Sequence, residues 1–111
     1  YFKNIKNIIL QPNKLPYCKN IYWVFGIVLK KNNKNNINSV VKKLLSKNIG
    51  TRPFFWPMHK QDAFKKKNYF KNISLPNSEF ISKNGFYLPS GLGLSKTELK
   101  FVKDTVIKVL K

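Results

Sequence analysis

The nine residues Ile21-Tyr-Trp-Val-Phe-Gly-Ile-Val-Leu29 are the longest strongly apolar run in the chain, and they decide its fold class. Valine, isoleucine and aromatic residues favour strands. Alternate side chains of a strand point to opposite faces of a sheet, and both alternating sets in this run are apolar. A strand of that kind is covered on both faces, so the run predicts a central strand. Gly26 within it predicts a close approach by another stretch of backbone.

Weaker signals on either side of this run add an edge strand and a helix. Ile8-Ile9-Leu10 predicts a short edge strand that leads into a loop, and residues 30–36 are polar and turn-like. Apolar residues then recur at helical spacing, at Ile37, Val40, Val41, Leu44 and Leu45. Gly50 lies just past this helix, where a left-handed residue is often needed.

The middle of the chain predicts a second strand followed by irregular structure. Ile49–Trp56 predicts a strand that becomes irregular at Pro53 and Pro57, because proline cannot donate to a ladder. Residues 57–74 predict a loop with one helical turn. No internal repeat and no Pro/Gly-rich linker divides the sequence, so we expect residues 1–111 to form one domain.

The last third of the chain predicts two helices around a short strand. Pro76 begins a helix over residues 76–83 with Gly85 as its stop, and Phe86-Tyr-Leu88 predicts a third strand. Ser95 and Glu98 form a capping box before an apolar helical stripe at Leu99, Val102, Val106, Val109 and Leu110. The order of elements predicts an α+β fold, a small mostly antiparallel sheet covered by helices.

The formal charge of +18, from 22 basic and 4 acidic residues, suggests a polyanionic partner. The composition argues against one, because 21 lysines, 14 asparagines and 10 isoleucines are typical of AT-rich codons. Recognition of phosphate or guanine favours arginine, whose planar fork bonds two acceptors at once, and the sequence has only Arg52. We therefore expect a solvated surface and no nucleic-acid partner. Arg52 itself is either the fixed cation of a binding site, part of a structural ion pair, or an arginine present by chance.

Several kinds of site and location are excluded or disfavoured. One cysteine, Cys18, excludes an internal disulfide, and with the single histidine, His59, it excludes a Cys/His zinc cluster made by this chain alone. No spacing supports these two residues as a nucleophile–base pair. A membrane span needs about 20 apolar residues, and no secretory signal is present, so we expect a cytoplasmic protein. The chain opens at Tyr1 rather than Met, and we expect a domain of a longer polypeptide.

Residues 51–59, Thr-Arg-Pro-Phe-Phe-Trp-Pro-Met-His, contain the strongest candidate site. Two prolines stiffen this backbone. Arg52, Trp56 and His59 can then form a preorganised rim, with one fixed cation, one flat apolar surface and one titratable donor. Such a rim suits a phosphorylated or sugar-like ligand. The composition favours equally an aromatic plug in the core with an exposed His59.

Three segments in order resemble the C-terminal domain of the DegT/DnrJ/EryC1/StrS family of pyridoxal-phosphate-dependent sugar-nucleotide aminotransferases. They are Ile21–Leu29, Gly50-Thr-Arg-Pro-Phe-Phe-Trp-Pro-Met-His59 and Gly85-Phe-Tyr-Leu-Pro-Ser-Gly-Leu92. The resemblance extends over nearly the whole chain and is strongest to the perosamine synthetase-like members. It implies the C-terminal small domain of the fold type I, aspartate aminotransferase-like, transferase fold, in a protein that works as a homodimer.

The resemblance also implies a reaction and its site residues. Glutamate would donate an amino group to a nucleotide-linked keto sugar, of the GDP-4-keto-6-deoxy-mannose kind, for the synthesis of surface polysaccharide such as lipopolysaccharide. Arg52, Phe54, Trp56 and His59 match the family stretch near the sugar-nucleotide pocket, so the resemblance implies that they contact this substrate. Pyridoxal phosphate would be held mainly by a large N-terminal domain of the same polypeptide, and none of that domain's motifs occurs here.

Two other functions compete with this interpretation. The chain could be a small basic module that binds nucleic acid or another polyanion without catalysis, with a strongly salt-dependent affinity. It could also be a structural remnant with no activity. The aminotransferase interpretation differs from the binding module in one physical respect, because it predicts exposed apolar surface where the large domain would sit.

We predict that the 111-residue chain alone has no transaminase activity. A lysine that forms a Schiff base needs a pocket that desolvates it and orients the cofactor, and the sequence shows no motif for one. Absorbance titration with pyridoxal phosphate, followed by an assay of amino transfer from glutamate to a keto sugar, checks this. Stoichiometric cofactor binding together with turnover would show the prediction to be wrong.

Overall fold

The computed structural model describes residues 2, 4–33 and 35–111, so Tyr1, and Lys34 in the predicted turn, lie outside the described residues. The strands are β1 Ile8–Leu10, β2 Lys14–Leu15, β3 Cys18–Lys19, β4 Phe25–Leu29, β5 Arg52–Pro53 and β6 Gly85–Leu88. The α-helices are α1 Ile37–Leu45, α2 Asp62–Lys66, α3 Pro76–Asn84 and α4 Lys96–Leu110, and a 3-10 turn spans Met58–Lys60. The predicted α+β class, a small antiparallel sheet with helices, is confirmed.

Strand β4 lies in the middle of the main sheet. The strand order is β1-β4-β6-β5, and each neighbouring pair is antiparallel. Ile27 of β4 lies opposite Leu10 of β1 on one side and Phe86 of β6 on the other. The central position of this strand and the edge position of β1 are therefore both confirmed. The loop predicted after β1 contains the β2–β3 hairpin, which pairs Leu15 with Cys18.

The first four residues of the predicted central strand lie outside the sheet. Tyr22 has a φ of 50°, and its backbone N–H donates to Asn20 Oδ1 at 2.8 Å, a turn that asparagine side chains favour. Strand β1 has three residues and the pairing with β6 begins at Phe25, so no strand formed by the described residues extends the ladder further. Ile21 and Trp23 are consequently 87% and 74% exposed. The prediction of a strand beginning at Ile21 is wrong.

One face of the main sheet carries the hydrophobic core. Side chains from the sheet, from α1, from α4 and from the loops meet there, namely Phe2, Ile8, Ile27, Leu29, Val40, Leu44, Ile49, Phe86, Leu88, Val106 and Leu110. Burying one such side chain contributes about 1.5–3 kcal/mol. The predicted stripes of α1 and α4 are thus largely confirmed, although Leu45 and Leu99 are exposed at the ends of their stripes.

Helix α1 is closed at both ends by asparagine. Asn36 is its N-cap, and its Oδ1 accepts from the Asn38 N–H at 2.8 Å. At the other end Asn48 takes the left-handed conformation, with a φ of 59°, which asparagine tolerates better than most residues. No glycine among the described residues has a positive φ, so the prediction that Gly50 supplies the left-handed residue is wrong.

The predicted strand Ile49–Trp56 is reduced to the two residues of β5 at the edge of the sheet. Pro53 has no N–H to donate, so pairing stops there. Residues 57–74 contain the 3-10 turn and α2, where we predicted one helical turn. Helix α3 begins at Pro76 and gives way to β6 at Gly85, in agreement with the prediction.

The capping box of α4 is present as predicted. Ser95 Oγ accepts from the Glu98 N–H at 3.2 Å, and the Ser95 N–H donates to Glu98 Oε2 at 2.8 Å. These bonds satisfy donors at the helix N-terminus that would otherwise lack a partner. The Ser95 hydroxyl also donates to Glu98 Oε2 at 2.7 Å, and this bond, followed by the one from the Ser95 backbone N–H, lowers the pKa of Glu98.

We expect Ser95→Ala to destabilise the fold by about 1 kcal/mol, because it removes the hydroxyl that caps α4. Ser95→Thr, which keeps an equivalent oxygen, is the control and should stay close to the parent. Urea unfolding followed by far-UV circular dichroism measures both variants. Equal midpoints for Ser95→Ala and the parent would contradict the cap's contribution.

Candidate functional site

A groove of about 1100 Å³ opens at the β5 edge of the main sheet. We call it the main groove, and its walls include Trp23, Arg52, Phe54, Trp56 and Tyr87. Its lining comes from the residues just before β4, from the segment that joins β4 to the start of α1, from residues 51–56 around β5, and from the end of α3 with the start of β6, and apolar surface predominates. Three of the four predicted site residues are therefore brought together there. The fourth, His59, lies outside the main groove.

The ring of Phe54 forms the floor of the site. Its backbone N–H donates to the Gly85 carbonyl at 3.4 Å, and its ring centroid lies 4.3 Å from that of Tyr87. A Cβ atom added at Gly26 would come within 2.7 Å of Phe54 Cζ, and one added at Gly85 would overlap the same ring. Two glycines on adjacent strands thus make room for one aromatic ring. The close approach predicted at Gly26 exists, but a side chain makes it rather than backbone.

Arg52 is an exposed cation at the edge of the groove. It lies in β5 directly opposite Tyr87, on the same face of the sheet as the Phe54 ring. Among the described residues its side chain has no ion-pair or hydrogen-bond partner. The alternative of a structural ion pair thus finds no support in that part of the chain. The planar fork of Arg52 is available for a bidentate anion.

Trp56 presents a flat apolar surface that hydrogen bonds hold in place. Its indole N–H donates to the Lys60 carbonyl at 3.1 Å, and Gln61 Nε2 donates to the Trp56 carbonyl at 3.2 Å. The side chain nevertheless remains 60% exposed. Its polar atom is used internally, so what it offers to a ligand is the face of the ring.

His59 is a buried residue with a carboxylate partner. Its Nε2 lies 3.0 Å from Glu79 Oε1, and Lys60 Nζ lies 3.2 Å from the same oxygen. It lines a separate cavity of about 340 Å³, together with Phe54 and Trp56. The alternative of a core plug with an exposed histidine is therefore wrong, because the histidine is buried and Trp56 is exposed. A role for His59 as a substrate contact stays a prediction.

The partners of Glu79 favour its ionised form. The hydrogen bond with His59 lowers its pKa below the ordinary value of 4.5, and the Lys60 ammonium lowers it further. A carboxylate with a lowered pKa in the folded state stabilises the fold above the pKa of the unfolded state. This contribution is lost as the pH falls through the folded-state pKa, so acid weakens the link between Glu79 and the 3-10 turn.

Tyr87 is held against the site from the sheet side. Its ring contacts those of Phe54 and Phe55, with centroids 4.3 and 5.8 Å away. Burial raises the pKa of its phenol above 10.0, and a backbone hydrogen bond with Phe55 acts in the opposite direction. Tyr87 therefore stays neutral at physiological pH, and its ring forms part of the wall of the main groove.

Three residues in or next to the site, Trp23, Tyr87 and Glu79, are absent from the site residues that the sequence predicts. The sequence places Tyr87 in the third strand and Trp23 in the central strand, and the signal against the second of these is Asn20, whose side chain starts the turn. Glu79 lies 20 residues from His59 in sequence. No local pattern links these two positions, since their contact depends on how α3 packs.

The described residues do not fit pyridoxal phosphate as its main binding site. None of the described lysines is buried, so none lies in a pocket that would desolvate a Schiff base. The glycine-containing loop at residues 90–93 is a turn before the α4 cap, and Leu92 in it is fully exposed. This part of the chain thus supplies a groove, a cation and an aromatic face, and no complete cofactor site.

Other chemistry is scarce in the part of the chain that the structure describes. Cys18 is exposed in the β2–β3 hairpin. No group of three or more His, Cys, Asp or Glu side chains could hold a metal ion among the described residues. None of the helices formed by these residues combines the length and the apolar character that crossing a bilayer requires.

Comparison with known proteins identifies relatives of this fold. Residues 2–107 match the DegT/DnrJ/EryC1/StrS aminotransferase family. Helicobacter pylori PseC, an aminotransferase involved in the biosynthesis of pseudoaminic acid, superposes with a TM-score of 0.82 at 15% identity, over 98% of this chain and 29% of its own. The S. venezuelae protein DesV, solved in complex with a ketimine intermediate, superposes with a TM-score of 0.76 at 18% identity, over 99% of this chain and 28% of its own.

A third structure agrees with these two. The sugar aminotransferase CalS13 from Micromonospora echinospora gives a TM-score of 0.74 at 13% identity, over 96% of this chain and 26% of its own. At these identities the likeness shows the fold, which is part of the fold type I aminotransferase architecture. The chain spans less than a third of the length of each of these proteins.

We expect Gly26→Ala to destabilise the fold by about 1–3 kcal/mol, because the new methyl group would press on the Phe54 ring. Gly50→Ala is the matched control, since no atom of the described residues lies within 4 Å of its added Cβ. In a Phe54→Leu background the cost of Gly26→Ala should shrink, as expected for residues in contact. Urea unfolding of the parent, the three single variants and the Gly26→Ala/Phe54→Leu double variant measures this coupling. If the free-energy costs of Gly26→Ala and Phe54→Leu simply add in the double variant, the predicted contact is contradicted.

Proposed function

The chain belongs to the DegT/DnrJ/EryC1/StrS aminotransferase family, and from this we propose that it is the C-terminal part of a sugar aminotransferase. The proposed enzyme transfers an amino group from glutamate to a nucleotide-linked keto sugar. Pyridoxal phosphate would supply the amino-transfer chemistry from a large N-terminal domain of the same polypeptide. The role of this chain is to bind and orient the sugar nucleotide from the opposite side of the pocket.

The observation that carries this proposal is that one groove contains both the unpaired guanidinium of Arg52 and the exposed indole of Trp56. A nucleotide sugar carries a diphosphate and flat or apolar ring surfaces, and these two side chains match those two features. Both line the main groove, whose floor is Phe54. We propose Arg52 as the diphosphate contact and Trp56 as the ring contact, with Phe54 shaping the pocket and His59 supporting it.

The exposed apolar surface supports a covered position for this chain in a larger protein. Large apolar side chains are exposed at many places, for example Tyr17, Ile21, Trp23, Phe55 and Leu92. A domain that functions alone rarely leaves so much apolar surface in contact with water. We propose that the large domain and a second copy in a homodimer cover much of it.

We propose a substrate of the GDP-4-keto-6-deoxy-mannose type, a perosamine-like product and a role in surface polysaccharide synthesis in the cytoplasm. The support for this level of detail is the resemblance of the three motifs to the perosamine synthetase-like members. Amino transfer to GDP-, UDP- and dTDP-linked keto sugars, compared in one assay, would identify the preferred nucleotide.

Reading the gene upstream of the Tyr1 codon tests the domain assignment. We expect the reading frame to stay open through a large domain with a cofactor lysine. A stop codon directly upstream would reject the aminotransferase role for this chain. Salt-dependent binding to DNA and RNA would then be measured, because a basic binding module is the competing function.

We expect Arg52→Ala in the complete enzyme to raise KM for the nucleotide sugar by about tenfold, the cost of one charge-assisted hydrogen bond. KM for glutamate should not change. Arg52→Lys keeps the charge and loses the fork, so it should recover only part of the affinity. Lys47→Ala, which removes a cation just after α1 and outside the lining of the main groove, is the control. Equal KM values for Arg52→Ala and Lys47→Ala would contradict the assignment.

A further inference from the structure

We propose that Glu79 is the positioning residue for the aromatic face of the main groove, because it holds the turn on which the Trp56 indole is fixed. This proposal deepens the proposed function and rests on it for the role of Trp56 as a ligand contact. It assigns a task to a carboxylate that does not line the main groove.

The geometry forms a continuous chain of contacts from α3 to the indole. Glu79 Oε1 lies 3.0 Å from His59 Nε2 and 3.2 Å from Lys60 Nζ. The backbone carbonyl of Lys60 accepts the indole N–H of Trp56 at 3.1 Å. One carboxylate oxygen therefore anchors two consecutive residues of the 3-10 turn, and the second of these holds the ring.

The turn needs such an anchor because the chain stops pairing with the sheet several residues before the turn begins. Pairing with β6 ends at Pro53, and the last bond to the sheet backbone is from the Phe54 N–H to the Gly85 carbonyl. Glu79 belongs to α3, which runs directly into β6 at Gly85 and is thereby fixed to the sheet. The contacts of Glu79 thus connect a segment at the sheet edge to an element that the sheet holds.

The arrangement also separates Glu79 from an ordinary surface ion pair. Exposed pairs contribute little, because both side chains are mobile and solvated. Here the His59 side chain is 3% exposed, so one partner has no freedom to move away. Asp62 and Lys65 provide the contrast in the same region, since they lie 3.5 Å apart with the Asp62 side chain 86% exposed.

The test uses acrylamide quenching of Trp56 fluorescence in the 111-residue chain. Trp23→Phe leaves Trp56 as the single tryptophan. In this background we expect Glu79→Ala to raise the quenching constant about twofold, because the turn opens locally. Asp62→Asn, which removes a carboxylate from the adjacent helix without touching the turn's anchor, should leave it unchanged. Equal quenching in Glu79→Ala and Asp62→Asn would overturn the proposal.

Glu79→Gln gives a second readout if the alanine variant loses its far-UV circular dichroism. The amide oxygen can still accept from His59, but it carries no charge for Lys60, and these are the two groups that the structure places against Glu79. In the protein that keeps Glu79, we expect quenching to rise as the pH falls below 4.5, the ordinary pKa of this carboxyl, because its partners lower its pKa and it takes up a proton only in more acidic solution. Glu79→Gln should lack this rise, and an identical rise in both proteins would overturn the proposal.

Ligand binding distinguishes this proposal from the proposed function. GDP is titrated into proteins that retain Trp23, with Asp62→Asn as the control. If the parent binds GDP and Glu79→Ala binds it about tenfold more weakly, both proposals gain support. If the parent binds and Glu79→Ala binds equally well, positioning by Glu79 is overturned. If the parent does not bind, the nucleotide contact fails, while the quenching result still decides the role of Glu79.

Discussion

The stacking of the Phe54 ring on two glycines is the contact on which the rest of the structure depends. Gly26 and Gly85 lie on adjacent strands, and neither position has room for a Cβ atom beside that ring. Strand β5 is short because Pro53 ends its pairing with β6. The contact of Phe54 with the two glycines therefore provides the further link between residues 51–59 and the sheet. It also sets the depth of the main groove, because the ring forms its floor. Phe54 thus contributes both to the packing of the fold and to the shape of the site.

Periodicity in the sequence predicts most of this fold, because local patterns report burial faithfully where an element packs on one core. The stripe of α1, the capping box of α4 and the apolar β4 were recognisable in this way. The start of β4 was not, since Ile21 and Trp23 are apolar in sequence and exposed in the structure. Apolar character alone cannot tell burial in this chain's own core from a surface that another domain covers.

The candidate site was predictable in part and for a different reason. Arg52 and Trp56 stood out by composition, as the single arginine and a tryptophan between prolines, and both line the main groove. The state of His59 could not be deduced from its neighbours, because its partner Glu79 comes from α3. Contacts between elements far apart in sequence follow from packing, and no window of local sequence contains that information.

The internal hydrogen bond of the Trp56 indole has a consequence for selectivity. An N–H group that already donates to the Lys60 carbonyl cannot also read the edge of a base or count hydroxyl groups on a sugar. The ring face accepts any flat or apolar surface of suitable size. In the proposed site, Trp56 would therefore accept many different rings, whereas Arg52 would require a negatively charged group. If the proposed substrate binds there, groups other than Arg52 and Trp56 would have to discriminate between one nucleotide and another.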